Sequence, residues 1–82
     1  MRSEQMPGMT ARELVAEIIN RFKRVSSCSD IRAEYVQIMP LKPKGSGPNW
    51  IATIDLPMST LAKMEAKAVI DGVRGRYALK RD

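Results

Sequence analysis

The chain has 82 residues, 44% of them hydrophobic, a net charge of +5, no histidine, and Cys28 as its single cysteine. One cysteine excludes an internal disulfide and a Cys/His zinc site, and the missing histidine removes the usual general base near neutral pH. A chain this short forms one domain with a small core, so a second subunit is the expected source of further stability. No enzymatic activity, cofactor, metal or small-molecule substrate is indicated.

Residues 1–9, "MRSEQMPGM", carry Pro7 and Gly8 as breakers and have no apolar leader. They read as a disordered lead-in to one small domain over 10–82. No run approaches the ~18 apolar residues that a bilayer span needs, so a soluble, cytoplasmic protein with no membrane partner is expected.

"TARE" opens the first helix, with Thr10 as N-cap and Glu13 closing a capping box. Ala11, Leu14, Val15, Ile18, Phe22 and Val25 recur at helical spacing, and Glu17 and Arg21 pair at i,i+4. The spacing predicts a helix over Ala11 to Arg24, stopped by the short polar side chains of "SSCSD". Cys28 reads as a free structural thiol.

"AEYVQIMPL" alternates as a strand, with Val36 and Ile38 on one face and Tyr35, Gln37 and Met39 on the other. "WIATIDL" alternates more cleanly: Trp50, Ala52, Ile54 and Leu56 against Ile51, Thr53 and Asp55. The turn-rich "KPKGSGPN" between them is too short for a crossover helix, so the strands form an antiparallel hairpin.

After Pro57, Ser59 or Thr60 can cap a second helix. Ala62, Ala66, Val69, Ile70, Val73 and Tyr77 fall on one arc about 100° wide. This stripe runs through Gly72 and Gly75, which lie on its flank, where they could let another backbone approach. It favours a helix from Thr60 to Leu79 over two other readings. One is a third strand using Val73, Tyr77 and Leu79; the other is a phosphate-gripping Gly-x-x-Gly loop. The fold expected is α+β: a two-layer α-β-β-α arrangement, with both helices on the hairpin face bearing Trp50, Ala52, Ile54, Val36 and Ile38.

Lys63, Lys67, Arg74 and Arg81 lie within about 40° of one another on the second helix. Lys42 and Lys44 in the hairpin loop, with Arg76 and Lys80, add to this basic stripe. These residues are the candidates for contact with nucleic-acid phosphates. "GPNWIATIDL" followed by "AKMEAKAVI" resembles part of a double-stranded-RNA-binding domain, a family with a helix, an antiparallel sheet and a second helix. Gly47 and Pro48 match its loop, with Trp50 where that family has histidine. Lys63, Ala66 and Lys67 approximate its helix motif; its third strand has no counterpart here. The chain also resembles small bacterial proteins with Asn-Trp at the start of a hairpin strand, a likeness that implies no function.

Two functions follow from this reading. The first is a non-enzymatic basic interaction module acting as a homodimer. An isolated two-stranded sheet is marginal, and its second face would expose apolar side chains, so Tyr35, Met39 and Ile51 are the expected interface. The second is an RNA- or DNA-backbone binder that uses the basic stripe.

Overall fold

The computed structural model describes residues 7–42 and 48–80. These form a mixed α+β fold with two helices and two small sheets. In chain order the elements are β1 (Gly8–Met9), α1 (Ala11–Phe22), β2 (Val36–Pro40), β3 (Trp50–Ile54), α2 (Thr60–Arg74) and β4 (Ala78–Leu79).

The start of α1 follows its sequence. The Glu13 amide donates to Thr10 Oγ1 at 3.2 Å, and the Thr10 amide donates to Glu13 Oε1 at 2.9 Å, completing the capping box. Arg21 Nε donates to Glu17 Oε2 at 2.9 Å. Leu14, Ile18 and Phe22 are buried. The helix ends at Phe22 rather than Arg24. The Arg24 and Val25 amides bond to the carbonyls of Arg21 and Phe22, three residues back, which tightens the last turn.

The hairpin has the expected antiparallel sense and faces. Val36 pairs with Ile54, Ile38 with Ala52 and Pro40 with Trp50; Gln37 pairs with Thr53 and Met39 with Ile51. Ala33–Tyr35 is a short 3-10 turn, so β2 begins at Val36, later than the apolar alternation suggests. Its ladder still extends past both strand ends. The Asp55 amide donates to the Tyr35 carbonyl and the Leu41 amide to the Asn49 carbonyl, each at 2.8 Å. Odd-numbered residues of the hairpin therefore turn their N–H and C=O groups toward each other, and even-numbered ones turn them outward. Pro40 sits at an even position, where a missing N–H costs no ladder bond.

Helix α2 is capped by Ser59, whose Oγ accepts the Ala62 amide at 3.1 Å. It buries Ala62, Ala66, Ile70 and Val73, four members of the expected stripe. It does not continue to Leu79. Gly75 is the C-cap, and the amides of Arg76 and Tyr77 both reach the Val73 carbonyl at 3.0 Å, closing the helix. Ala78–Leu79 then extends as β4, parallel to β1, pairing Gly8 with Ala78 and Met9 with Leu79. Two expectations are corrected by this segment. The helix ends before the C-terminal apolar residues, and Gly8 and Met9 are paired backbone rather than a disordered lead-in. Residues 1–6 lie outside the described residues. Neither α2 glycine admits a neighbouring backbone: a Cβ at Gly72 would meet Arg21 Nη1 at 3.7 Å, and one at Gly75 only carbonyls of its own helix, the nearer at 3.5 Å.

The reason for the early helix end is the pair Asn49–Trp50. Asn49 Nδ2 donates to the Leu79 carbonyl at 3.0 Å, and its Oδ1 accepts the Leu79 amide at 2.9 Å. Trp50 Nε1 donates to the Tyr77 carbonyl at 3.0 Å. Arg74 Nε donates to the Trp50 carbonyl at 2.8 Å. An extended 77–79 segment makes the bonds to the Asn49 amide and the Trp50 indole. A helix continued to Leu79 would leave the Tyr77 and Leu79 carbonyls among its last four, which have no intrahelical donor, and would carry Gly75 at a cost near 1 kcal/mol. Tyr77 and Leu79 consequently pack against the core rather than against the hairpin's second face.

The core cluster joins Leu14, Ile18 and Phe22 of α1, Val36 and Trp50 of the hairpin, and Ala66, Ile70 and Val73 of α2. Trp50 is the largest fully buried side chain. Trp50→Ala is expected to cost about 3–5 kcal/mol, a large part of the stability of so small a domain. Asn49→Ala is expected to cost less, about 1–3 kcal/mol, by stranding the Leu79 peptide groups. Urea unfolding followed by far-ultraviolet circular dichroism measures both. A Trp50→Ala protein as stable as the parent would contradict this account of the core.

Candidate functional site

The basic stripe does not present its side chains uniformly. Lys63 and Lys67 are exposed. Lys67 Nζ pairs with Asp71 Oδ2 at 2.9 Å, whereas among the described residues Lys63 makes no ion pair. Arg74 is held differently: its side chain is only 23% exposed, its Nε is bonded to the Trp50 carbonyl, and its Nη1 lies 3.7 Å from Asp71 Oδ1. It links the end of α2 to the start of β3, which limits its reach toward an outside ligand. Lys42 is exposed, as are Arg76 and Lys80. Lys44 and Arg81 lie outside the described residues.

The second face of the hairpin is open. Met39 is 48% exposed and stands opposite Ile51, which is half-buried, as is Tyr35. None of the three packs against the core cluster. Leu41, 42% exposed, belongs with them by parity, because its amide continues the ladder to Asn49. The sequence reading missed Leu41, although strand alternation two residues beyond Met39 was the signal for it.

A groove of about 400 Å³ runs between β3 and α2. Ile51, Ala52 and Ile54 line it from the strand, Ala66 and Ile70 from the helix, and Lys63, Lys67 and Arg74 border it together with Asp71. Strand and helix together thus give it apolar walls and a margin with more cations than carboxylates. The sequence reading did not find this groove, because it depends on where α2 lies beside β3.

Cys28 is fully buried, and its thiol faces the Ala62 carbonyl at 3.7 Å. The Ser27 hydroxyl beside it hydrogen-bonds the Glu65 carboxylate, tying the 26–28 turn to α2. Among the described residues no group of His, Cys, Asp and Glu could hold a metal ion, and no helix is long and apolar enough to cross a membrane. No protein-family model, curated protein or solved structure matches this chain.

The two kinds of stripe cation can be separated by stability. Arg74→Ala, which deprives the Trp50 carbonyl of its donor, is expected to destabilise the fold by about 1–3 kcal/mol. Lys63→Glu is expected to stay within about 0.5 kcal/mol of the parent, as exposed substitutions usually do. Thermal melts of the two variants compare them directly; equal melts would remove the structural role assigned to Arg74.

Proposed function

We propose that this chain is a non-enzymatic interaction module of the cytoplasm that works as a homodimer through the open face of its hairpin. One observation carries the reading: Met39 is nearly half exposed beside Ile51, and neither belongs to the core. Leu41 extends the same apolar surface. Two copies related by a two-fold axis would cover it with the same patch from each subunit. The two-layer order of helices against hairpin belongs to this proposal. It is supported by one hairpin face sharing its core with both helices.

Sedimentation at micromolar concentration is expected to give a species of twice the 9.2 kDa chain mass. Met39→Glu is expected to weaken the dimer by about tenfold or more, through burial of an unpaired charge, without altering the circular dichroism spectrum. A folded monomer at about 100 μM, well above the Kd range of stable dimers, would refute the reading.

A second reading is contact with RNA or DNA phosphates through α2. It rests on Lys63 and Lys67, exposed one turn apart, and on the net charge of +5. Arg74 is left out of the test because of its bond to Trp50. Binding to a duplex at low salt is expected to be lost in the Lys63→Glu/Lys67→Glu variant. For the parent chain, log affinity should fall against log salt by about 0.9 per phosphate contact. Absence of duplex binding at low salt would end this reading.

A further inference from the structure

The parity of the hairpin has a consequence at the outer edge of β3. Its ladder bonds to β2 are made by odd-numbered residues, as the bonds at Leu41–Asn49 and Asp55–Tyr35 establish. Trp50, Ala52 and Ile54 therefore point their backbone N–H and C=O groups away from β2, on the side from which Arg74 of α2 reaches the Trp50 carbonyl. Arg74 already occupies the Trp50 carbonyl. Among the described residues nothing bonds the outward groups of Ala52 and Ile54. Both residues line the groove between β3 and α2.

We propose that this groove binds an extended peptide of a partner protein, apolar at alternate positions and flanked by acidic residues, which adds a strand to the edge of β3. The free donors and acceptors of Ala52 and Ile54 supply the main-chain bonds. Alternate side chains of an added strand point to one side, where Ala66 and Ile70 of α2 form an apolar wall. The margin, with Lys63, Lys67 and Arg74 against the single carboxylate of Asp71, favours an acidic partner. Lys63 has no ion-pair partner among the described residues, and Lys67 has only an exposed pair with Asp71. The same margin opposes a second copy at this edge, because two β3 strands joined by a two-fold axis would bring like-charged rims together. Arg74 marks one end of the site, since the strand carbonyl there is taken. This site borders the dimer face proposed at Met39 and shares Ile51 with it, but Tyr35, Met39 and Leu41 lie outside the groove, and either proposal can fail without the other.

The test is a nuclear magnetic resonance titration of the whole nitrogen-15-labelled chain with the blocked peptide Glu-Thr-Val-Thr-Val-Thr-Glu. Its glutamates and valines share one side of the strand. Saturable shifts at the Ala52 and Ile54 amides are expected, with slowed hydrogen exchange at both. Replacing the two glutamates by lysines is expected to weaken binding about tenfold or more, and the Lys63→Glu/Lys67→Glu protein should reverse that preference. Methylating the peptide nitrogens that face β3 should abolish binding. Three results would each overturn the proposal. One is no saturable shift at millimolar peptide. Another is shifts confined to the Met39 face. The third is Ala52 and Ile54 amides already protected in the peptide-free protein, which would show that this edge has no free groups to offer.

Discussion

Strand β4 has a neighbouring strand on one side only, yet both of its sides are satisfied. The amides of Ala78 and Lys80 donate to the carbonyls of Pro7 and Met9 in and beside β1. Leu79, facing the opposite way, has its N–H and C=O matched by the side-chain amide of Asn49. A single asparagine thus does the work of a strand, presenting one donor and one acceptor at the spacing of a peptide group. Buried backbone polar groups need partners, so this contact decides whether the C-terminal segment can leave its helix and extend. The Trp50 indole, one residue on, bonds Tyr77 and fills the core with the same side chain.

Much of the remaining geometry depends on that clasp. Extension of residues 77–79 gives β1 a partner, and β1 leads directly into the Thr10 cap of α1. Termination of α2 at Arg74 places its guanidinium on the Trp50 carbonyl and lays the helix along β3. The groove is the space left between a helix and a strand held together at one end. The Glu65–Ser27 bond secures the other half of α2 to the turn that follows α1.

The charge of the chain is also redistributed by these contacts. A net +5 and a helical stripe of cations suggest one basic surface. In the folded chain Arg74 is turned to a backbone carbonyl and Lys67 is shared with Asp71, so of the three stripe cations on α2 Lys63 is the one without an ion pair among the described residues. An arginine that ties elements together and a lysine that meets solvent look alike on a helical wheel, because the wheel carries no information about what stands opposite.

What the sequence by itself determined is local. The Thr10–Glu13 box, the Glu17–Arg21 pair, a cap for α2 at Ser59 or Thr60 and the two faces of each hairpin strand all follow from spacings of a few residues or from simple alternation. They were legible because both partners lie on the same element or on strands joined by a short loop. Tertiary structure alone decided the end of α2, the pairing of Gly8–Met9, the structural use of Arg74 and the groove beside β3. Asn49 reaches Leu79 across 30 residues, Trp50 reaches Tyr77 across 27, and Arg74 reaches Trp50 across 24. Helical periodicity through Gly72 and Gly75 records only which side chains could share a face. It does not register that residues 77–79 gain more hydrogen-bond partners, and a place in the core, by leaving the helix.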